Sequence, residues 1–309
     1  MAYSKKTRKY LVIFLIIGWG ITLFFMAKPN KKLYRDNRIL MGTFWEVISP
    51  NKDAARIVFD EAARLDGLLS KYKEGSEVSR LNKAGKLQVS PETFFIIKQS
   101  KEFYAKTEGA FDITVAPLTD LWGFTNYKFR VPTKHSIEAT LKLVGSEKII
   151  LHEIDNLVAF KKPGVKIDLG AIAKGFTLDR AVGKLKENNI NSCLINAGGQ
   201  VYALGDRFGK PWKVAVKNPH KEGVSETLEL KNQSVSTSAD YQQFFIKNNK
   251  RYGHILNPKT GYPAQARAFT VISNNATEAD ALSTAIFVLG EEKQAELLSR
   301  FPRVKIKNY

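Results

Sequence analysis

The sequence predicts an α+β protein: a mixed, mostly antiparallel sheet with packed helices, preceded by one amino-terminal transmembrane helix. Apolar residues recur at helical spacing in several segments, and short apolar runs between turn residues predict strands. An uninterrupted apolar stretch near the amino terminus is the basis for the transmembrane helix. With 44% hydrophobic and 25% charged residues in 309, the chain has an ordinary globular composition and the length for a sizeable core.

Residues 10–27 carry no charge and lie between the basic flanks KKTRK and Lys28. A helix of that length just spans a bilayer core of about 30 Å. Neither a good cleavage site nor a cysteine for lipoprotein processing follows. We therefore interpret 1–38 as a cytoplasmic basic tip, a single-pass anchor in the cell membrane and a linker, with 39–309 as one catalytic body facing outside the cytoplasm. A soluble core helix is the alternative for 10–27.

The formal net charge of +18 raises the question of a nucleic-acid partner. The first 38 residues hold nine Lys and Arg against one acid, Asp36, so +8 lies there and +10 is left for the body. The body's cations are spread along the chain and match no nucleic-acid motif. We expect no nucleic-acid partner and interpret the basic surface as one near anionic lipid. The single cysteine, Cys193, lies in an apolar run and is expected to be a buried small hydrophobe.

The body shows no repeat, low-complexity tract or second hinge rich in proline and glycine, so one domain is the simplest division. Ser90 is the expected cap and Pro91 the first-turn residue of one helix, and Gly290 ends the last helix. The predicted helices are 53–69, 91–107, 171–188 and 278–289, and the predicted strands are 39–48, 165–169, 192–196, 212–216, 235–237, 244–247 and 270–272.

The first segment that could carry chemistry is KIDLGAIAKGF, residues 166–176. It predicts a strand with Asp168, a glycine turn, and a helix whose first turn carries Lys174. Free backbone N–H groups at such a helix start suit an anionic phosphate, and the lysine adds a point charge. An ordinary strand, turn and helix with an exposed lysine is the alternative, and the segment is not a P-loop.

The second segment is TEADALSTAIFVLG, residues 277–290. Asp280 and Thr284 are four residues apart and therefore share one helix face. A carboxylate and a hydroxyl, with a backbone carbonyl and phosphate oxygens, would suit Mg²⁺. The alternative is a helix cap, because Thr277 and Asp280 have the spacing of a capping box.

The third segment is GHILNPKTGYP, residues 253–263. A strand delivers His254 just before an Asn-Pro turn that Gly261 closes. A histidine in that place could act as a general base toward a hydroxyl, although most lone histidines have no such role.

Taken together, the segments give the body a resemblance to the FAD:protein FMN transferases, the ApbE-type flavin transferases. The resemblance covers essentially all of 39–309, and the matching stretches follow the family's order. They are MGTFW (41–45), LSKYKEGSEVSRLN (69–82), GAFDITVAPLTDLWGF (109–124), IDLGAIAKGFTLDRA (167–181), NAGGQVYALG (196–205), STSADYQQFF (236–245), HILNPKTGYP (254–263) and ADALSTAIFVLG (279–290).

This resemblance implies a site for FAD as substrate and for Mg²⁺. By resemblance, Met41 and Tyr72 would lie against the isoalloxazine. His254 would lie near the transferred phosphate, and His254 and Lys174 would be the catalytic residues. The other implied FAD contacts are Ala110, Phe111, Asp112, Asp168, Lys174 and Ile255. The implied metal ligands are the Ala171 carbonyl, Asp280, Ser283 and Thr284.

The implied reaction is displacement at the FMN phosphorus by a Thr or Ser hydroxyl of an acceptor protein, with AMP leaving. Mg²⁺ and Lys174 would neutralise charge on the pyrophosphate oxygens while a base takes the hydroxyl proton. The implied acceptor is an extracytoplasmic flavoprotein subunit of a membrane redox system. Two alternatives remain: a hydrolase that splits FAD into FMN and AMP, and a non-catalytic flavin-binding protein.

The sequence departs from the family's pattern at two positions. Asn257 stands where Asp is common, and Ala239 stands where Gly is common. Asn257 removes a possible carboxylate near His254, which leaves the identity of the base open, whereas the implied metal site does not depend on it.

Overall fold

The computed structural model describes residues 32–217, 223–239, 243–266 and 268–308. By its contacts the chain divides into two units, 1–33 and 34–309. The predicted anchor at 10–27 lies outside the described residues. Among the residues that are described, no helix has the length and apolar character needed to cross a bilayer.

The body is built on a seven-stranded sheet in which every neighbouring pair is antiparallel, which confirms the predicted α+β class and mainly antiparallel sheet. In spatial order its strands are β1 (Tyr34–Leu40), β2 (Thr43–Ser49), β6 (Cys193–Ala197), β7 (Gln200–Leu204), β10 (Gln233–Ser238), β13 (Phe269–Ser273) and β14 (Lys305–Asn308). β3 (Lys86–Gln88), β5 (Leu157–Phe160) and β4 (Ile149–His152) form a small second sheet, and β8 (Trp212–Lys217) with β9 (Val224–Leu230) and β11 (Phe244–Lys247) with β12 (Lys250–Gly253) form two ribbons.

The structure corrects the predicted strand 39–48, which is a hairpin. β1 and β2 are joined by a two-residue turn of Met41 and Gly42, whose φ angles are 50° and 71°. Positive φ at both positions is typical of a type I′ turn, whose twist matches antiparallel strands. β1 begins at Tyr34, inside the segment interpreted as linker.

The described part of the chain contains eight α-helices: α1 (Ala54–Leu69), α2 (Glu77–Ala84), α3 (Pro91–Lys106), α4 (Ala116–Trp122), α5 (Lys134–Leu141), α6 (Ala173–Glu187), α7 (Ala276–Leu289) and α8 (Gln294–Arg300). α1 and α6 pack their apolar faces on β2 and β6, where Trp45, Val47 and Cys193 are fully buried. Burial raises the pKa of the Cys193 thiol far above its ordinary value, as expected for an inert core residue. The Ser90 hydroxyl accepts from Thr93 N–H, which confirms that cap.

The prediction of a strand at 165–169 is wrong. The segment pairs with no strand among the residues that the structure describes, and the side chain of Asn82 bonds to its backbone instead. Its Oδ1 accepts from Ile167 N at 2.7 Å, and its Nδ2 donates to Ile167 O at 2.8 Å. Asp168 N donates to Ile113 O at 2.7 Å. These bonds satisfy the buried backbone and fix the direction of the Asp168 side chain.

Candidate active site

A cleft of about 280 Å³ opens where the amino-terminal ends of α6 and α7 meet the sheet. All of the site residues predicted from the sequence line this cleft except Met41 and Ser283. Those that do are Tyr72, Ala110, Phe111, Asp112, Asp168, Ala171, Lys174, His254, Ile255, Asp280 and Thr284. Chain segments more than two hundred residues apart therefore converge on one cavity.

The floor of the cleft is a reciprocal contact between α6 and α7. Asp280 of α7 accepts from Gly175 N–H of α6 at 3.0 Å, whereas the residue at the N-cap position of α6, Ile172, has an apolar side chain that cannot cap the helix. Asp179 of α6 accepts from Ala276 N–H and Thr277 N–H of α7, both at 2.8 Å. Each helix therefore supplies an anion to the positive end of the other. The approach requires Gly175, since a Cβ there would lie 2.3 Å from Ala276 O.

These contacts exclude the capping-box interpretation of Thr277 and Asp280. The cap of α7 is Asn275, whose Oδ1 accepts from Glu278 N–H at 2.8 Å, so the helix begins at Ala276 rather than at 278. Asp280 lies one turn further on and is only 4% exposed. Its carboxylate faces the cleft because α6 and β10 enclose the other sides.

The donor set around Asp280 fits a hard divalent cation. Its Oδ1 lies 3.5 Å from Lys174 Nζ and 3.5 Å from Ser236 Oγ, so this oxygen has no short hydrogen bond in the described part of the chain. Thr284 adds a hydroxyl one turn along α7, and Ala171 lies on the cleft wall before α6. The described residues contain no cluster of three or more His, Cys, Asp or Glu. The Asp280 carboxylate together with neutral oxygens would hold the ion.

Ser283 and Met41 lie outside the cleft lining. The Ser283 hydroxyl bonds within the protein, to Ser238 Oγ at 2.9 Å, Ser236 Oγ at 3.1 Å and Asp280 O at 2.9 Å. It is 1% exposed, which places it beneath Asp280. Met41 lies in the β1–β2 turn and packs against both main apolar clusters. Their roles as metal ligand and isoalloxazine contact stay predictions.

His254 follows β12 directly and lines the cleft with its ring held in one orientation. Its Nδ1 and its backbone N–H both bond to Gln243 O, each at 3.0 Å. Because a carbonyl only accepts, Nδ1 carries the proton and Nε2 is left as the acceptor. Burial lowers the pKa of His254, and the nearby Lys174 acts in the same direction. A neutral imidazole near neutral pH suits a general base.

Asn257 has a structural partner of its own. Its Oδ1 accepts from Lys259 N–H at 2.9 Å and from Thr260 N–H at 3.3 Å, which closes the turn after His254. Gly261 occupies the left-handed region at φ 74°, and its N–H donates to Asn257 O. A side-chain oxygen, which Asn and Asp both have, is what this turn requires.

Lys71 is a cleft residue that the sequence analysis missed. It is nearly buried and forms a 2.7 Å ion pair with Asp168, and it also donates to Thr119 Oγ1 and Thr125 Oγ1. Burial favours the neutral amine, but the Asp168 carboxylate outweighs it and raises the pKa of Lys71. A charged lysine therefore holds Asp168 in place. The only sequence signal was its position beside Tyr72 in a stretch that carries the resemblance.

Asp112 is a buried acid with three donors on one oxygen. Its Oδ1 accepts from Thr114 N–H, Thr114 Oγ1 and Ser146 Oγ at 2.7 to 2.8 Å. Burial raises the pKa of Asp112, while those hydrogen bonds act against the rise. The bonds hold the backbone of Ala110 and Phe111 along the cleft wall.

Gln200 is a second missed residue. Its Nε2 donates to Ala276 O at 2.9 Å. This bond fixes the orientation of the side-chain amide and identifies Oε1 as its carbonyl oxygen. Gln200 lines the cleft at 2% exposure, and its Oε1 has no hydrogen-bond partner among the described residues. A buried carbonyl of this kind is satisfied by a water or a ligand donor.

Lys174 at the start of α6, the buried Asp280 carboxylate and the neutral His254 line one cleft, which suits an anionic phosphate ester and thus an enzyme of the phosphate-handling class. The chain belongs to the ApbE family, whose model matches residues 41–306. It is 35% identical to an FAD:protein FMN transferase of Haemophilus influenzae over 75% of this chain and 71% of that one. It is 32% identical to one of Klebsiella pneumoniae over 85% of each.

Solved structures show the same fold. The ApbE protein of Thermotoga maritima superposes with a TM-score of 0.83 at 35% identity, covering 89% of this chain and 93% of that one. The flavin transferase ApbE of Vibrio cholerae gives 0.78 at 27% identity, with 89% and 92% covered.

Proposed function

We propose that this chain is an FAD:protein FMN transferase that uses Mg²⁺ to move FMN from FAD onto a Thr or Ser hydroxyl of an acceptor protein. The observation that carries the proposal is the Asp280 carboxylate, which bonds to Gly175 with one oxygen and leaves the other toward the cleft. FAD:protein FMN transferases that are 30 to 35% identical over most of the chain support FAD as the substrate.

The chain's own residues account for the chemistry. The acceptor hydroxyl oxygen forms a bond to the FMN phosphorus, the bond from that phosphorus to the bridging oxygen breaks, and AMP leaves with the electron pair. His254 Nε2 takes the hydroxyl proton. Lys174 lies in the first turn of α6, and its Nζ donates to Gly170 O at 3.2 Å. From there it supplies positive charge to the pyrophosphate. Bound Mg²⁺ would add charge stabilisation at the same oxygens.

We also propose that the enzyme is anchored in the cell membrane by residues 10–27 and acts on extracytoplasmic redox subunits. The support is the uncharged stretch and its basic flanks. Protease added to intact spheroplasts should digest the body. Full protection of the body would refute this orientation.

The test of the activity uses the full chain, FAD, Mg²⁺ and solubilised membrane protein from a strain that lacks its own flavin transferase. We expect a flavin-fluorescent band after denaturing electrophoresis, which requires enzyme, FAD and Mg²⁺, and one AMP for each flavin attached. Free FMN with AMP and no labelled band would instead indicate a hydrolase. Bound but unchanged FAD would indicate a flavin-binding protein.

A further inference from the structure

The surface beside the cleft mouth carries an aromatic strip. The loop 124–130 and the β11–β12 ribbon place their rings in contact one after another. Tyr127 contacts Phe129 at 6.1 Å between ring centroids, Phe129 stacks on Phe245 at 5.2 Å, and Phe245 stacks on Tyr252 at 5.1 Å. Tyr127 is 73% exposed and Phe129 is also exposed, while Phe245 and Tyr252 are partly buried against the core beneath them. Exposed aromatic rings held on a packed base of this kind are characteristic of protein interfaces.

The same surface is positively charged. Segments 124–130 and 244–253 contain five Lys and Arg and no Asp or Glu. Lys128, Lys247 and Lys250 are exposed, and none of the three forms an ion pair with a described residue. Lys250 Nζ lies 5.7 Å from the Tyr252 ring, so charge and aromatic surface are interleaved.

The strip continues into the active site. Phe124, at the start of the loop, lines the cleft and contacts Phe129 and Phe245. The β11–β12 ribbon begins after Gln243 and ends before His254, and these two residues bond to each other. Four residues of strand span about 13 Å, so the basic tip at Lys247 and Lys250 is within reach of any protein whose hydroxyl enters the cleft.

We infer that this aromatic and basic surface docks the acceptor protein, which presents an acidic patch beside the hydroxyl that receives FMN. The inference rests on the proposed function. An acceptor must touch the rim of the cleft, and the rim next to His254 is this surface. Complementary charge would steer the acceptor and align it, while the rings supply contact area. An anionic membrane is not the proposed occupant, because a membrane bound to this surface would block the approach of the acceptor to His254.

The experiment compares two double charge reversals in the full chain. Lys247→Glu with Lys250→Glu changes the proposed surface. Lys52→Glu with Lys186→Glu is the control with the same change in net charge. Lys186 is in the last turn of α6, about 20 Å along the helix from its start, and Lys52 is an exposed residue before α1 that does not line the cleft. Flavin labelling of detergent-solubilised membrane protein from a strain without its own transferase is measured against acceptor concentration. FAD affinity is measured by quenching of flavin fluorescence.

We expect the surface variant to label at least tenfold more slowly at low acceptor concentration and 50 mM salt, and to approach the wild-type rate at saturation. The deficit should shrink at 0.5 M salt, because screening weakens charge attraction. FAD affinity of this variant and labelling by the control variant should both stay within twofold of wild type. Tyr127→Asn, a residue suited to the left-handed φ of 57° found there, should raise the acceptor KM at both salt concentrations.

Equal labelling by the surface variant and the wild type would overturn the docking surface and leave the transferase standing. An equal loss in the control would show a general effect of charge and would overturn it too. Reduced binding of the surface variant to phosphatidylglycerol vesicles, with unchanged labelling, would assign the surface to lipid instead. Failure of the wild type to label any protein would remove the proposed function, and the docking inference with it.

Discussion

Asp179 and Asp280 occupy related places on two facing helices but have different surroundings. Asp179 accepts three hydrogen bonds, from two backbone N–H groups and the Thr277 hydroxyl, so both oxygens are in use. Within the described part of the chain, Asp280 accepts one bond, from Gly175 N–H, and the nearest donors to its other oxygen lie at 3.5 Å. The difference separates a carboxylate that holds two helices together from one with capacity left for a cation.

The largest expected effect is on activity, from Asp280→Asn. An amide oxygen can still accept from Gly175, so the fold should survive with a melting temperature within a few degrees of wild type. Removal of the Asp280 carboxylate from the proposed metal site should reduce transfer at ordinary Mg²⁺ by more than about a hundredfold, equivalent to about 2.7 kcal/mol in the barrier. Excess Mg²⁺ or Mn²⁺ should rescue it in part. Near-normal transfer at ordinary Mg²⁺ would mean that Asp280 only accepts the Gly175 N–H bond at the start of α6.

Asp179→Ala should show the opposite pattern. The substitution leaves three donors at the start of α7 without their acceptor, and we expect a loss of about 2 to 3 kcal/mol in the free energy of unfolding. Denaturant titration measures this loss. The Mg²⁺ concentration for half-maximal transfer should stay within about threefold, and a larger rise would show that the two acids do not have separate roles.

The pH profile of transfer should report His254. Burial lowers the pKa of His254 below its ordinary value of about 6.5, so the neutral base persists to lower pH than in a free histidine. The acid limb of kcat/KM should therefore lie below pH 6.5. The charged imidazolium is less favourable in the buried site than in the unfolded chain. The free energy of unfolding should therefore fall as the pH drops below about 6.5 and His254 becomes protonated in the unfolded chain first. His254→Gln should remove the limb along with most activity; an unchanged profile would assign the base elsewhere.

The smallest expected effect is that of Asn257→Asp. Both side chains offer an oxygen to Lys259 N–H and Thr260 N–H, so the turn after His254 should persist. Transfer should be unchanged or improved, as measured by initial rates of labelling. A loss beyond about tenfold, or about 1.4 kcal/mol, would show a role for the Asn257 amide that the turn does not explain.

Local features of this fold were predictable from sequence, and distant contacts were not. Ser90 caps α3 and Gly290 ends α7 because those signals depend on neighbouring residues. The prediction of a strand at 165–169 failed because Asn82, 85 residues away, replaces the neighbouring strand. The hairpin at Met41 was missed because only Gly42 marked a turn inside an apolar run.

The site shows the same division. The helical spacing of Asp280 and Thr284 and the position of His254 after a strand were visible in the sequence. The contact of Asp280 with Gly175, the ion pair of Lys71 with Asp168 and the buried carbonyl of Gln200 depend on residues brought together by folding. The resemblance to a family, rather than spacing, supplied the remaining cleft residues.

The most direct test of the account is Mn²⁺ binding measured by electron paramagnetic resonance, with FAD left out, on the wild type, Asp280→Asn and Asp179→Asn. We expect the wild type and Asp179→Asn to bind one Mn²⁺ with affinities within about threefold of each other. We expect Asp280→Asn to bind at least about tenfold more weakly while its circular dichroism spectrum is unchanged. Equal binding by all three proteins, or equal weakening by both substitutions, would contradict the assignment of the cation to Asp280.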